Sequence, residues 1–326
     1  MLKKFLFVFI LIIFILPLCG CYDARGLENL VYVVALGIDK GENNNLRLTL
    51  QFALLNQNSG GDSSSSSSQS SSSTTASVEC STIDSGISLI NSYISKQINL
   101  SHCKAIIISE ELAYEGISEY LFPLVNNLEI RPDCHVIVCR CDAYDFLENS
   151  KPTLESVSAR YYELISNSSE YTGFTQDLYL SDFYSDMLST TNEPIAILGG
   201  INTSGTQGSD NSSLAYDGAY KANQTHIKLK NHIENMGLAV FKGDKLVGEL
   251  DNIETLCHLI VTNKLKNATI TIPNPYNYED NISIYIGKYK DTQNSVKLIN
   301  GTPYIECNLY ISRQSTWFRY FFRFNK

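Results

Sequence analysis

The spacing of apolar positions changes repeatedly along the chain, and each change marks an element. Residues 30–38 are rich in β-branched residues and read as a buried strand. Leu46, Leu48 and Leu50 then alternate with Arg47, Thr49 and Gln51, the period of two that a half-buried strand shows. Turn residues 40–45 join the two into a hairpin. Residues 59–77, a serine-rich tract, have no apolar surface to bury and are expected to form a flexible loop. Ile83, Ile87, Ile90, Ile94 and Ile98 fall on one helical stripe, with Ser81 or Thr82 available as its cap. A strand at 104–109, a helix at 110–126, a turn at Arg131-Pro132-Asp133 and a strand at 134–139 follow. Helices are expected at 142–147 and 153–165, the latter opened by Pro152.

A second series begins with a strand at 194–200 and a polar stretch at 201–217. Residues 237–241 and 245–250 read as a hairpin, and Asp251 with Glu254 has the spacing of a capping box for a helix to about Thr262. A strand at 268–272 should end at Pro273 and Pro275, and 281–312 alternates as further strands. The aromatic stretch 317–324 reads as a strand end without a partner. Strands alternating with helices around hairpins define an α/β (α+β) protein of several domains, with mixed sheets and flanking helices.

The N-terminus has its own pattern. Lys3 and Lys4 precede an apolar run from Phe5 to Leu16, shorter than the ~20 residues that cross a bilayer. Pro17 ends it, and Leu18-Cys19-Gly20-Cys21 follows. This is the layout of a signal peptide with a cysteine at the first mature position. It resembles the lipobox of bacterial lipoproteins, with Cys19 where Ala, Ser or Thr is usual. Residues 1–20 are therefore expected to be a cleaved leader and Cys21 the site of lipid attachment. At least two acyl chains give a stable anchor. The net charge of −9 becomes more negative once Lys3 and Lys4 leave with the leader. An acidic chain argues against nucleic acid and against a polybasic grip on anionic lipid.

No phosphate-binding glycine loop, HExxH zinc motif or nucleophile elbow occurs. The five histidines, His102, His135, His226, His232 and His258, are scattered. His102-Cys103, Cys134-His135 and Cys139-Arg140-Cys141 gather soft ligands, but neighbours on a strand face opposite sides, so no metal is expected. Besides Cys21, an odd number of cysteines follows the leader, so no disulfide framework is implied. Asp177, Asp182 and Asp186 read as a solvated face, and no catalytic residue, cofactor or enzymatic activity is assigned.

Several segments together resemble one family. Residues 21–30, CYDARGLENL, are similar to the mature start of the Ger(x)C lipoproteins, the C subunits of nutrient germinant receptors in endospore-forming bacteria. Tyr22 stands where that family has Trp. Gly37-Ile38-Asp39, residues 101–113, Glu129-Ile130-Arg131-Pro132 and residues 237–248 continue the likeness in order. The resemblance implies a non-enzymatic subunit with three α/β domains, on the outer face of the spore inner membrane beside integral membrane subunits A and B. The domains expected are 21–190, 191–272 and an incomplete third at 273–326, since family members continue further. The alternative is a solute-binding lipoprotein of a transport system, which calls for two doubly wound lobes.

Overall fold

The computed structural model describes residues 2–15, 26–42, 46–54, 73–152, 154–155, 158–202, 219–225, 227, 231–274, 277–287, 289–300, 302–313 and 316–321. Helix α1 (Leu2–Ile15) forms in the apolar N-terminal run. The body opens with strands β1 (Leu30–Asp39), β2 (Leu46–Ala53) and β3 (Ser73–Cys80), helix α2 (Ile83–Tyr93), and strands β4 (Gln97–Asn99) and β5 (Ala105–Ser109). Helices α3 (Glu110–Glu115) and α4 (Ser118–Asn126), strand β6 (His135–Cys139), and helices α5 (Ala143–Asn149), α6 (Ser158–Leu164), α7 (Ser169–Thr172) and α8 (Leu180–Leu188) follow. Then come β7 (Ile195–Ile201), β8 (Ile233–Lys242), β9 (Lys245–Leu250), α9 (Asn252–Val261), β10 (Ala268–Asn274), β11 (Asn277–Ile286), β12 (Tyr289–Ile299), β13 (Thr302–Arg313) and β14 (Thr316–Phe321).

The mixed α/β class expected from the alternating elements is the one observed. A nine-stranded sheet runs in the order β3-β2-β1-β5-β6-β7-β8-β9, with β4 beside β1. Its centre, β1, β5, β6 and β7, is parallel, and antiparallel strands extend both edges. Central parallel strands are covered on both faces and so lack alternation. Every residue of β5 and β6 is buried. Ile106, Ile108, Val136 and Val138 face one core with α2, α3, α4 and α8. Ala105, Ile107, Ile137 and Cys139 face the other, beneath α5 and α6. Each buried Ile, Val or Phe contributes about 1.5–3 kcal/mol. Strands β7 to β9 continue the same sheet past residue 190, where the sequence pattern placed the start of a second unit. Smaller sheets pair β10 with β11 and β12 with β13 and β14, and α9 packs Leu256, Leu259 and Ile260 against Ala268 and Ile286.

Several local expectations are corrected. Residues 73–77 are not loop but part of β3, an edge strand whose Ala53–Ser73 partners close the pairing with β2. Its β-branched threonines suit an extended edge, where polar side chains keep contact with water. The isoleucine stripe does not run through one helix. α2 stops at Tyr93, and Ile98 belongs to β4, its N–H donating to the Asn91 side chain at 2.9 Å. The helix expected at 110–126 is two. Gly116 takes φ 124°, and Asp244, in the β8–β9 turn, accepts from the N–H of Ile117 and the hydroxyl of Ser118. Leu154 and Glu155 are not helical, α6 spans Ser158–Leu164, residues 153, 156 and 157 lie outside the described residues, and β10 runs through Pro273 to Asn274. As far as Phe321, the aromatic stretch pairs with β13, Trp317 opposite Ser312 and Tyr320 opposite Leu309 in register, and residues 322–324 lie outside the described residues.

Candidate functional site

In open α/β sheets, ligands gather beyond the carboxyl ends of the parallel strands. Here that edge is occupied by polar side chains that join elements to one another. β1 ends in Asp39, which is 2 % exposed. Its carboxylate accepts from the N–H groups of Ala143 at 2.6 Å and Tyr144 at 3.1 Å, the first turn of α5. It therefore caps a helix that follows it by about a hundred residues, where the helix dipole favours negative charge. Arg47, on β2, lies 3.3 Å from Asp39 and 2.6 Å from Asp142, with its guanidinium over the Tyr144 ring. Burial pushes the Asp39 carboxyl above the usual carboxylate range, and the two N–H groups and Arg47 offset part of that rise.

The other two residues of the triplet have their own tasks. A Cβ at Gly37 would stand 2.9 Å from Leu147 Cδ1 and 3.1 Å from Ala143 Cβ, so α5 rests directly on the β1 backbone. Ile38 points to the opposite core. Gln51 donates to the Leu147 carbonyl at 3.0 Å, and Thr75 bonds Glu148, so β2 and β3 hold the far end of α5.

A second junction lies at the end of β6. Glu249, on β9, has a side chain 7 % exposed, 3.3 Å from Arg140 and 3.1 Å from Lys221. Arg140 also donates to the Ala222 carbonyl at 3.0 Å and to Asn223 Oδ1 at 2.7 Å. Neither Arg140 nor Glu249 had been singled out in the sequence, because nothing local pairs residues so far apart.

The soft-ligand residues do not converge. His102 is exposed and stacks edge-on against Tyr32, whereas Cys103 is fully buried. His135 is buried on the side of the Leu178 carbonyl, 3.1 Å away, and stacks on Tyr179. Cys134 and Cys103 share the first core, and Cys139 lies in the second with Cys141 at its margin. His232 and His258 lie apart from these, and His226 is outside the described residues. Among the described residues no group of three or more His, Cys, Asp or Glu side chains could hold a metal ion. Asp177, Asp182 and Asp186 line an open cleft of about 970 Å³ between α8 and α9, together with Glu193, His258 and Lys264. Asp177 accepts from the Tyr179 hydroxyl and Asp186 from Asn192. Burial, then the Lys264 charge, hold the His258 imidazole below its ordinary value. Cys21 lies outside the described residues. No described helix is long and apolar enough to cross a membrane.

The described residues thus form an α/β scaffold whose buried polar groups bind sheet to helix and strand to strand. Residues 23–199 match the model of the spore germination protein N-terminal domain. Residues 236–314 match that of the spore germination B3/GerAC-like C-terminal domain. The chain belongs to this family of spore germination proteins. It is 25% identical over 261 residues to the putative spore germination protein YfkR of Bacillus subtilis (strain 168), covering 79% of this chain and 61% of that protein. It is 22% identical over 322 residues to spore germination protein KC of the same organism, covering 95% and 74%. No solved structure matches the chain.

Proposed function

We propose that this protein is a lipid-anchored subunit of a nutrient germinant receptor, which works by assembly with membrane subunits and not by catalysis. The observation that carries the reading is the ordered family match, which begins at residue 23, two residues beyond Cys21. The leader, residues 1–20, is removed. Diacylglycerol on the Cys21 thiol holds the body on the outer face of the spore inner membrane, beside the A and B subunits. An acyl anchor suits a chain whose acidic surface gives no electrostatic grip on anionic lipid. The body consists of residues 21–190 and 191–272, whose strands β1 to β9 share one sheet, and 273–326 begins a third unit. A solute-binding lipoprotein would instead be built as two lobes about a hinge, and the sheet from β3 to β9 is continuous.

Cys21→Ala is expected to move the protein from the membrane to the soluble fraction, and mass spectrometry of the wild-type N-terminus to find an acylated cysteine. A bare thiol at the mature N-terminus, with the variant still membrane-bound, would refute the anchor. Deletion of the gene is expected to slow nutrient-triggered germination and leave growth unchanged. Normal germination in a strain with no paralogue would refute the receptor role.

A further inference from the structure

Cys103 and Cys134 stand at the entrances of neighbouring parallel strands. Ala105 pairs with His135, and the His135 N–H donates to the Lys104 carbonyl at 2.8 Å. By that register Cys134 stands opposite Lys104, so Cys103 lies one residue along from its direct partner, across strands about 4.8 Å apart. A disulfide spans Cα separations of about 4.4–6.8 Å. Side chains must also share a face of the sheet, and these two do: both sit in the core with Ile106, Ile108, Val136 and Val138. Neither exposes any surface. Cys134 Sγ lies 2.9 Å from the Cys103 carbonyl oxygen, and the two thiols are within hydrogen-bonding reach of each other.

We propose that Cys103 and Cys134 are a disulfide pair, closed when the chain folds in the presence of a disulfide oxidant. One cysteine, as thiolate, attacks a sulfur of the oxidant. The mixed disulfide forms and one oxidant thiol leaves. The second thiolate then attacks the cysteine sulfur of the mixed disulfide, the Sγ–Sγ bond forms, and the second oxidant thiol leaves. The two cysteines give up two protons and two electrons, and the oxidant is reduced to two thiols.

The timing follows from the burial. Contact with the Cys134 thiol, together with burial, holds the Cys103 thiol well above its ordinary value, and neither residue exposes surface to an oxidant once the chain is folded. Exchange therefore takes place while the strands assemble and the thiols still meet the oxidant. The bond seals a segment that carries β5, α3 and α4, and so restricts the unfolded chain. A second contact, between Cys139 and Cys141, joins residues two apart at the end of β6. It is the natural competitor for oxidation. The proposal concerns the chemistry of the folded body and does not depend on the lipid at Cys21.

The test uses the full chain, reduced in denaturant and refolded in a mixture of oxidised and reduced glutathione. After alkylation and digestion without reductant, peptides are read by mass spectrometry. The expected result is a dominant cross-linked peptide joining Cys103 to Cys134, absent as a dominant species when denaturant is retained. Recovery of both residues alkylated, or a dominant Cys139–Cys141 bond, would overturn the proposal. Cys103→Ser is expected to leave Cys134 alkylated after the same treatment. The wild-type map decides the matter even where that variant fails to fold.

Discussion

Asp39→Ala removes the group that ties the end of β1 to the start of α5. Two hydrogen bonds to a charged acceptor are lost, each worth about 1.5–3 kcal/mol. Burial of the carboxylate takes back part of this, as its raised pKa shows. Removing a helix N-cap costs about 0.5–2 kcal/mol by itself. The Ala143 N–H also lies at a buried residue, and a buried donor left unpaired costs about 1–3 kcal/mol. A net loss of about 2–3 kcal/mol is expected. Asp39→Asn keeps one acceptor oxygen and should lose about 1 kcal/mol less. Urea unfolding followed by far-UV circular dichroism measures the difference as a lowered midpoint at constant slope. Hydrogen exchange at Ala143 and Tyr144 should quicken more than exchange in β5 or β6. Wild-type midpoint and wild-type exchange in Asp39→Ala would refute the helix-capping role.

Two further outcomes follow from the same buried polar groups. Glu249→Ala leaves Arg140 and Lys221 without their shared carboxylate, although Arg140 keeps its bonds to Ala222 and Asn223. Stability should fall by about 3 kcal/mol, the low end for breaking a buried pair because both cations are partly exposed, and an unchanged denaturation midpoint would count against the junction. His258 has a folded pKa below the 6.5 of the unfolded chain, so the unfolded chain takes up its proton first as pH falls. Its contribution is fully present above pH 6.5 and is lost as pH falls from there through the folded pKa. Urea midpoints at about pH 7.5 and 5.5 should therefore drop more in the wild type than in His258→Gln. Equal drops would show that the imidazole is not desolvated.

What could be read from the sequence was whatever a local period encodes. β5 and β6 are legible because a doubly covered strand is a plain apolar run, and α9 because Asp251 and Glu254 cap it reciprocally. The isoleucine stripe misled because a spacing that fits a helix can outlast the helix: the chain leaves α2 at Tyr93, yet Ile98 still matches the period. β3 was hidden because serines and threonines at a half-exposed edge carry almost no hydrophobic signal, Thr74 and Thr75 giving only the β-branched hint. The family triplet drew attention to Asp39, but its helix partner could not be foreseen. That contact depends on the sheet order, which brings β1 under α5. The shared core position of Cys103 and Cys134 depends on the pairing of β5 with β6 in the same way.

The pairing of Ala53 with Ser73 separates the serine-rich tract from the mechanics of the sheet. Both ends of that tract are pinned one strand spacing apart, so chain added between them changes only the entropy of a closed loop. Doubling such a loop costs about 0.6 kcal/mol, less than one buried methylene. The tract is therefore a natural port for an epitope or a fluorophore, through which the protein could be followed while every strand keeps its register.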